Sequence, residues 1–119
     1  MSSILTMLIV VGCFILFDVV TGILKALNNE GLNSTILRKG LFHKLSEVLA
    51  VVGAALLEYG AAYIDLGVDL PFLNVVGIYI CLMEFVSVVE NLCELNPALK
   101  KLFKPYLEKL NGGKDDNEL

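Results

Sequence analysis

Histidine occurs once in this sequence, at His43, and cysteine three times, at Cys13, Cys81 and Cys93, with no Cys-x-x-Cys or Cys-x-x-His spacing. That scarcity excludes much of the usual site chemistry. A metal centre has no ligand cluster to rest on. An odd set of cysteines, all within apolar segments, is not a disulfide framework, and each reads as a small hydrophobe. His43 stands beside Lys44 at a loop end and reads as an interfacial side chain. Ser87 follows Glu84 by three residues, but no suitable base accompanies them, so neither an enzyme nor a cofactor is expected. The glycines form neither a P-loop nor a dinucleotide fingerprint. No long basic stripe is present, which argues against nucleic acid as a partner. Repeats and low-complexity tracts are absent as well. The apolar run at 4–17 has no Lys or Arg before it and no A-x-A site after it, so it reads as mature structure rather than as a signal peptide.

What is present is hydrophobic length. Of 119 residues 56% are hydrophobic, and the mean hydropathy is +0.74. About half apolar is usual for a soluble domain. The excess falls in three blocks, which argues for a bilayer rather than for an oversized core. The first runs from about Ile4 to Ala26. At about 1.5 Å per residue it reaches across a hydrocarbon core of about 30 Å. A basic loop over 28–44 follows, with Gly31 suited to a helix C′ position and Ser34 to the N-cap of a short helix at 35–44. The second span runs from about Leu45 to Ile64. The turn around Asp65 and Asp69 leads to Pro71 at a first helical position, and the third span runs from about Phe72 to Cys93.

Asn96-Pro97 reads as an N-cap followed by proline at N1. Over 97–110, Leu99, Leu102, Phe103, Tyr106 and Leu110 recur at helical spacing with Lys100, Lys101, Lys104 and Lys109 between them. Such a helix either lies in the membrane interface or packs on the loop, and Pro105 is expected to kink it or divide it. Residues 111–119, with the run KDDNEL, read as a flexible, solvated tail. The expected architecture is an all-α integral membrane protein: three transmembrane helices and a C-terminal amphipathic helix, in an oligomer.

All nine Lys and Arg residues fall at Lys25, in the 38–44 stretch, or after residue 99. Basic loops stay in the cytoplasm. Three spans put both basic regions on one side, so the N-terminus is expected outside and the C-terminus inside; two spans would separate them.

Six acids, Asp18, Glu47, Glu58, Glu84, Glu90 and Glu94, lie in or at the ends of the apolar blocks. A charge near the centre of a span costs at least ~2.5–3.5 kcal/mol, so such groups face a bundle interior, water or a partner. At about 100° per residue, Asp18, Thr21, Gly22 and Lys25 share one arc of the first helix. On the second, Glu47, Ala50, Ala54, Glu58, Ala61 and Asp65 share another. On the third, Gly77, Glu84, Ser87, Asn91 and Glu94 lie on one side with Glu90 at its flank. Small residues on the second span also permit close helix approach. Two readings of these stripes remain open: interhelical glue, with an Asp18–Lys25 or Glu–Lys pair, or the lining of an aqueous lesion made by several copies. A small selective ion or proton channel, a membrane effector built on the same three-helix scaffold, transport or sensing are further alternatives.

Three motifs carry a resemblance. Asp18-Val19-Val20-Thr21-Gly22 is similar to the D-x-x-T-G motif of the phage lysis and toxin-secretion holins of Gram-positive bacteria. Leu32-Asn33-Ser34 with Gly40 and Lys44 resembles their loop. Glu84, Ser87, Glu90 and Asn91 resemble their E-x-x-S-x-x-E-N. The motifs follow in order, and the resemblance covers about residues 5–110. The resemblance implies a protein of the host cytoplasmic membrane that partners itself and the lipid bilayer. It would form a lesion releasing an endolysin or a toxin, without assumed direct contact with either. It points to Asp18, Thr21, Gly22, Ser34, Gly40, Lys44, Glu84, Ser87, Glu90 and Asn91. Helical phase adds Lys25 and Glu58 to the expected assembly or pore-facing set.

Overall fold

In the computed structural model the chain is described over residues 3–29, 31, 33–67 and 69–110. Leu32 of the loop motif and the tail 111–119 lie outside the described residues. Four helices follow in order: α1 Ser3–Asn29, α2 Ser34–Ala61, α3 Phe72–Leu95 and α4 Pro97–Leu110. The described residues contain no strand. The first three helices are long and apolar enough to cross a membrane, and α2 is the least apolar.

The local chemistry explains the boundaries. Past the end of α1, Gly31 takes φ +90° and its N–H donates to Ala26 O at 2.7 Å, a left-handed position that costs glycine little. The cap of α2 is Asn33, not Ser34: its backbone is extended, and its Oδ1 accepts from Thr35 N at 2.9 Å and Ile36 N at 3.3 Å. Ser34 is the first helical residue. The amide oxygen reaches the free N–H groups that a helix start leaves unpaired. From there α2 runs unbroken to Ala61, so the separate short helix expected at 35–44 is the first third of α2. Gly67, at φ +73°, donates to Asp65 Oδ1 at 2.9 Å in the turn before α3. Pro71 sits one residue earlier than expected, as the cap of α3 rather than within it. Asn96 ends α3 by donating to Leu92 O and opens α4 by accepting from Ala98 N at 3.1 Å. Helix α4 continues through Pro105 to Leu110; only the bond that the missing N–H would have made is lost, and no division follows.

Helices α1 and α3 form the tight pair. They run parallel in matched register: Met7 opposite Gly77, Phe14 edge-to-face with Phe85 at 6.3 Å, Thr21 opposite Asn91. A Cβ at Gly77 would lie 2.6 Å from Met7 Sδ, so the bare backbone there sets the helix separation. Helix α2 runs antiparallel to α3 and approaches α1 sparingly. The apolar core is a small cluster of Val11 and Ile15, Val51, Ala54 and Ala55, Leu73 and Ile80. The outward faces carry Leu16 and Phe17, Leu49 and Leu56, Ile78 and Leu82, all exposed. That inversion suits hydrocarbon as the surrounding medium.

Candidate functional site

The stripes on the three spans converge on one ammonium group. Lys44 Nζ donates to Asp18 Oδ2 on α1 and to both carboxylate oxygens of Glu84 on α3, at 2.7 and 2.6 Å. Glu47, one turn along α2, places Oε1 3.7 Å from the same nitrogen. The other oxygen of Asp18 accepts from Asn91 Nδ2 at 3.0 Å. The same amide donates to Thr21 Oγ1 at 3.0 Å, and Thr21 in turn donates to the Asp18 carbonyl at 3.1 Å. Asp18, Thr21, Glu84 and Asn91 are all buried, Glu84 to 2% exposure.

Depth makes this arrangement unusual. Glu84 lies twelve residues past the start of α3 and eleven before its end, so it sits roughly 17 Å from either end at about 1.5 Å per residue. Lys44 lies ten residues inside α2, about 15 Å along it. One ammonium faces three carboxylates there, and Glu47 Oε1 is buried with no hydrogen-bond partner among the described residues. A cleft of about 490 Å³ between α2 and α3 borders the cluster, lined by His43, Glu47, Ala50, Val76, Tyr79 and Met83. The arrangement has no nucleophile–base geometry. What it can do is hold three helices together by charge, and release that hold when the charges find other partners.

The other expected residues are placed as follows. Gly22 packs under Asn91, whose Nδ2 would be 3.7 Å from an added Cβ. Ser87 is half-buried beside Asp18. Glu58 is drawn to the opposite end of the bundle, where its Oε1 accepts from Leu73 N at 3.4 Å, at the positive N-terminus of α3. Lys25 is half-buried and Glu90 is exposed; neither makes an ion pair among the described residues. Ser34 and Gly40 are exposed on α2, with open space around Gly40. An Asp18–Lys25 pair does not form, because Lys44 occupies the Asp18 carboxylate. Lys44 itself is not a loop cation. Its phase could have shown this: Lys44, Glu47, Val51, Ala54, Ala55 and Glu58 share one face within about 100° once α2 is extended back past residue 45.

Comparison with known families decides the identity. The sequence matches the bacteriophage holin family over residues 1–112. The chain belongs to that family. No curated protein and no solved structure gives a match. The matched stretch covers all four helices of this holin, so the charged cluster and α4 both lie within the family region.

Proposed function

We propose that this holin accumulates in the host cytoplasmic membrane with its N-terminus outside and its C-terminus inside. There it assembles with copies of itself and opens a lesion through which an endolysin, or another large protein, escapes. The observation that carries the reading is the mid-depth cluster of one ammonium and three carboxylates. Three helices of one copy enclose no path for a protein, so a lesion needs several copies. Within one copy the cluster keeps Asp18, Glu84 and Asn91 turned inward. Helix α2 is held by little else: the Lys44 contacts, the Glu58 contact to Leu73 N, and a few small apolar side chains. When α2 moves away, those polar groups face neighbouring copies or water, which satisfies them at lower cost than lipid does. Asp18, Thr21, Gly22, Glu84, Ser87 and Asn91 then become contacts of the assembly, with Lys44 supplied by α2.

The test is release of solutes of graded size, up to a cytoplasmic enzyme, after induction in bacteria. Enzyme release supports the lesion. Collapse of the membrane potential with the enzyme retained favours a small ion channel instead. Unchanged growth and potential at high membrane levels of the protein would overturn both. Asp18→Asn and Glu84→Gln are expected to shift the onset of release; parental timing in both would reduce the cluster to a static tie.

A further inference from the structure

Helix α4 begins one residue after a span ends. Leu95 closes α3, Asn96 turns the chain, and Pro97 starts α4. The helix therefore sets out from the membrane surface rather than from free solution. Among the other helices it approaches α3 alone. Its apolar side chains divide. Leu99, Phe103 and Leu107 are half-buried, whereas Leu102 and Tyr106 are 60% and 62% exposed. At about 100° per residue, Leu102, Tyr106, Leu99, Phe103 and Leu107 span an arc of about 140°. Lys109 borders this arc on one side and Lys100 on the other, with Lys101, Lys104 and Glu108 opposite. None of the four lysines makes an ion pair among the described residues, although Glu90 and Glu94 lie exposed on the last turns of α3.

We infer that α4 is a docking element for anionic phospholipid headgroups in the leaflet where α3 ends. Leu102 and Tyr106 enter the boundary between headgroups and acyl chains. Lys100 and Lys109 extend along the edges of the apolar arc so that their ammonium groups reach the phosphate layer. Lys101 and Lys104 face the aqueous side, where the negative surface potential of an anionic leaflet attracts them. The occupant is a lipid surface because both halves of the helix fit it at once: an apolar arc too narrow to span, flanked by unpaired cations, and joined to a span by one residue. Tyrosine, with an apolar ring and a polar tip, suits that depth. This inference needs only that the first three helices span a membrane, not that the protein forms a lesion.

The chain contains no tryptophan, so Tyr106→Trp places a sole reporter on α4 in the full-length protein. The variant is reconstituted in nanodiscs of phosphatidylcholine alone, or of phosphatidylcholine with phosphatidylglycerol, each with acyl-brominated lipid as quencher. A Leu16→Trp variant, on the outward face of α1, reports insertion of the spans in both. Blue-shifted, quenched emission from the Tyr106→Trp variant is expected in both, with quenching about twofold greater when phosphatidylglycerol is present. Changing Lys100, Lys101, Lys104 and Lys109 to Gln should remove that difference and leave Leu16→Trp unaffected. Water-like, unquenched emission in both lipids while Leu16→Trp is quenched would overturn the proposal. So would quenching that ignores lipid charge, or that tracks the ratio of protein to lipid, which would assign the face to a second copy.

Discussion

Replacing Lys44 by Met is the most direct perturbation of the cluster. Methionine fills a similar volume and leaves the helix propensity of α2 nearly unchanged. It removes the only cation among the described residues in contact with Asp18 and Glu84, whose side chains are 6% and 2% exposed. Removing one member of a buried ion pair costs about 3–5 kcal/mol, since the remaining charge is stranded. Here two carboxylates lose the same partner, so the upper half of that range is expected. Each 1.4 kcal/mol is about tenfold, so α2 docking weakens by about three to three and a half orders of magnitude. Reversible unfolding in bicelles, followed by the proximity of labels on α2 and α3, measures the change. Adding Asp18→Asn and Glu84→Gln to Lys44→Met removes the stranded charges, and most of the stability should return. If Lys44→Met costs under about 1 kcal/mol, or if the triple variant is no more stable than the single one, the cluster does not hold α2 in place.

Asn91→Ala breaks the two hydrogen bonds that join α3 to Asp18 and Thr21; at about 0.6 kcal/mol each, and up to about 1.7, within a membrane, a loss of about 1–3 kcal/mol is expected in the same assay, and no loss would refute the tie. Gly77→Val puts branched bulk where Met7 Sδ already lies 2.6 Å from a bare Cβ position, so α1 and α3 should separate at a cost of about 1–3 kcal/mol, whereas Gly77→Ala should cost less because the Met7 side chain can turn aside; cross-linking of paired cysteines on α1 and α3 reads the separation. Glu58→Gln removes the negative charge from the N-terminus of α3 and should cost about 0.3–1 kcal/mol, read as earlier fraying at Leu73 by hydrogen exchange. Asn33→Ala should cost about 1 kcal/mol through its lost cap, confined to the first turn of α2; an effect reaching Lys44 would contradict the assignment.

Length and composition were enough to define the spans, because crossing a bilayer depends on the local hydrophobicity of about twenty consecutive residues. The pattern of α4 was legible for a similar reason: its period and its lysines lie within one helix. Phase and motif put Asp18, Glu84 and Asn91 on the polar stripes, and leave open whether those stripes face the bundle interior, water or a partner. Lys44 belongs to a motif, yet in sequence it reads as a loop residue, because a basic tract next to an apolar block looks like a cytoplasmic flank. Asn33 in the N-cap position makes α2 start there and places Lys44 ten residues into that helix. Glu58 shared the stripe of Glu47, yet the antiparallel pairing of α2 with α3 takes it to a helix terminus at the far end of the bundle.

The sequence by itself thus determined that the chain carries three segments long and apolar enough to cross a membrane, that a basic amphipathic helix follows, and that acids lie within those apolar segments. Only the tertiary structure decided which cation meets which acid. That choice depends on the parallel register of α1 with α3 and the antiparallel register of α2, relations between residues 26, 40 and 73 apart. Periodicity specifies the face of each helix but not its height against a neighbour. Close approach at Gly77 and the reach of one lysine set that height, and they bring three separate stripes to a single point part-way along the bundle.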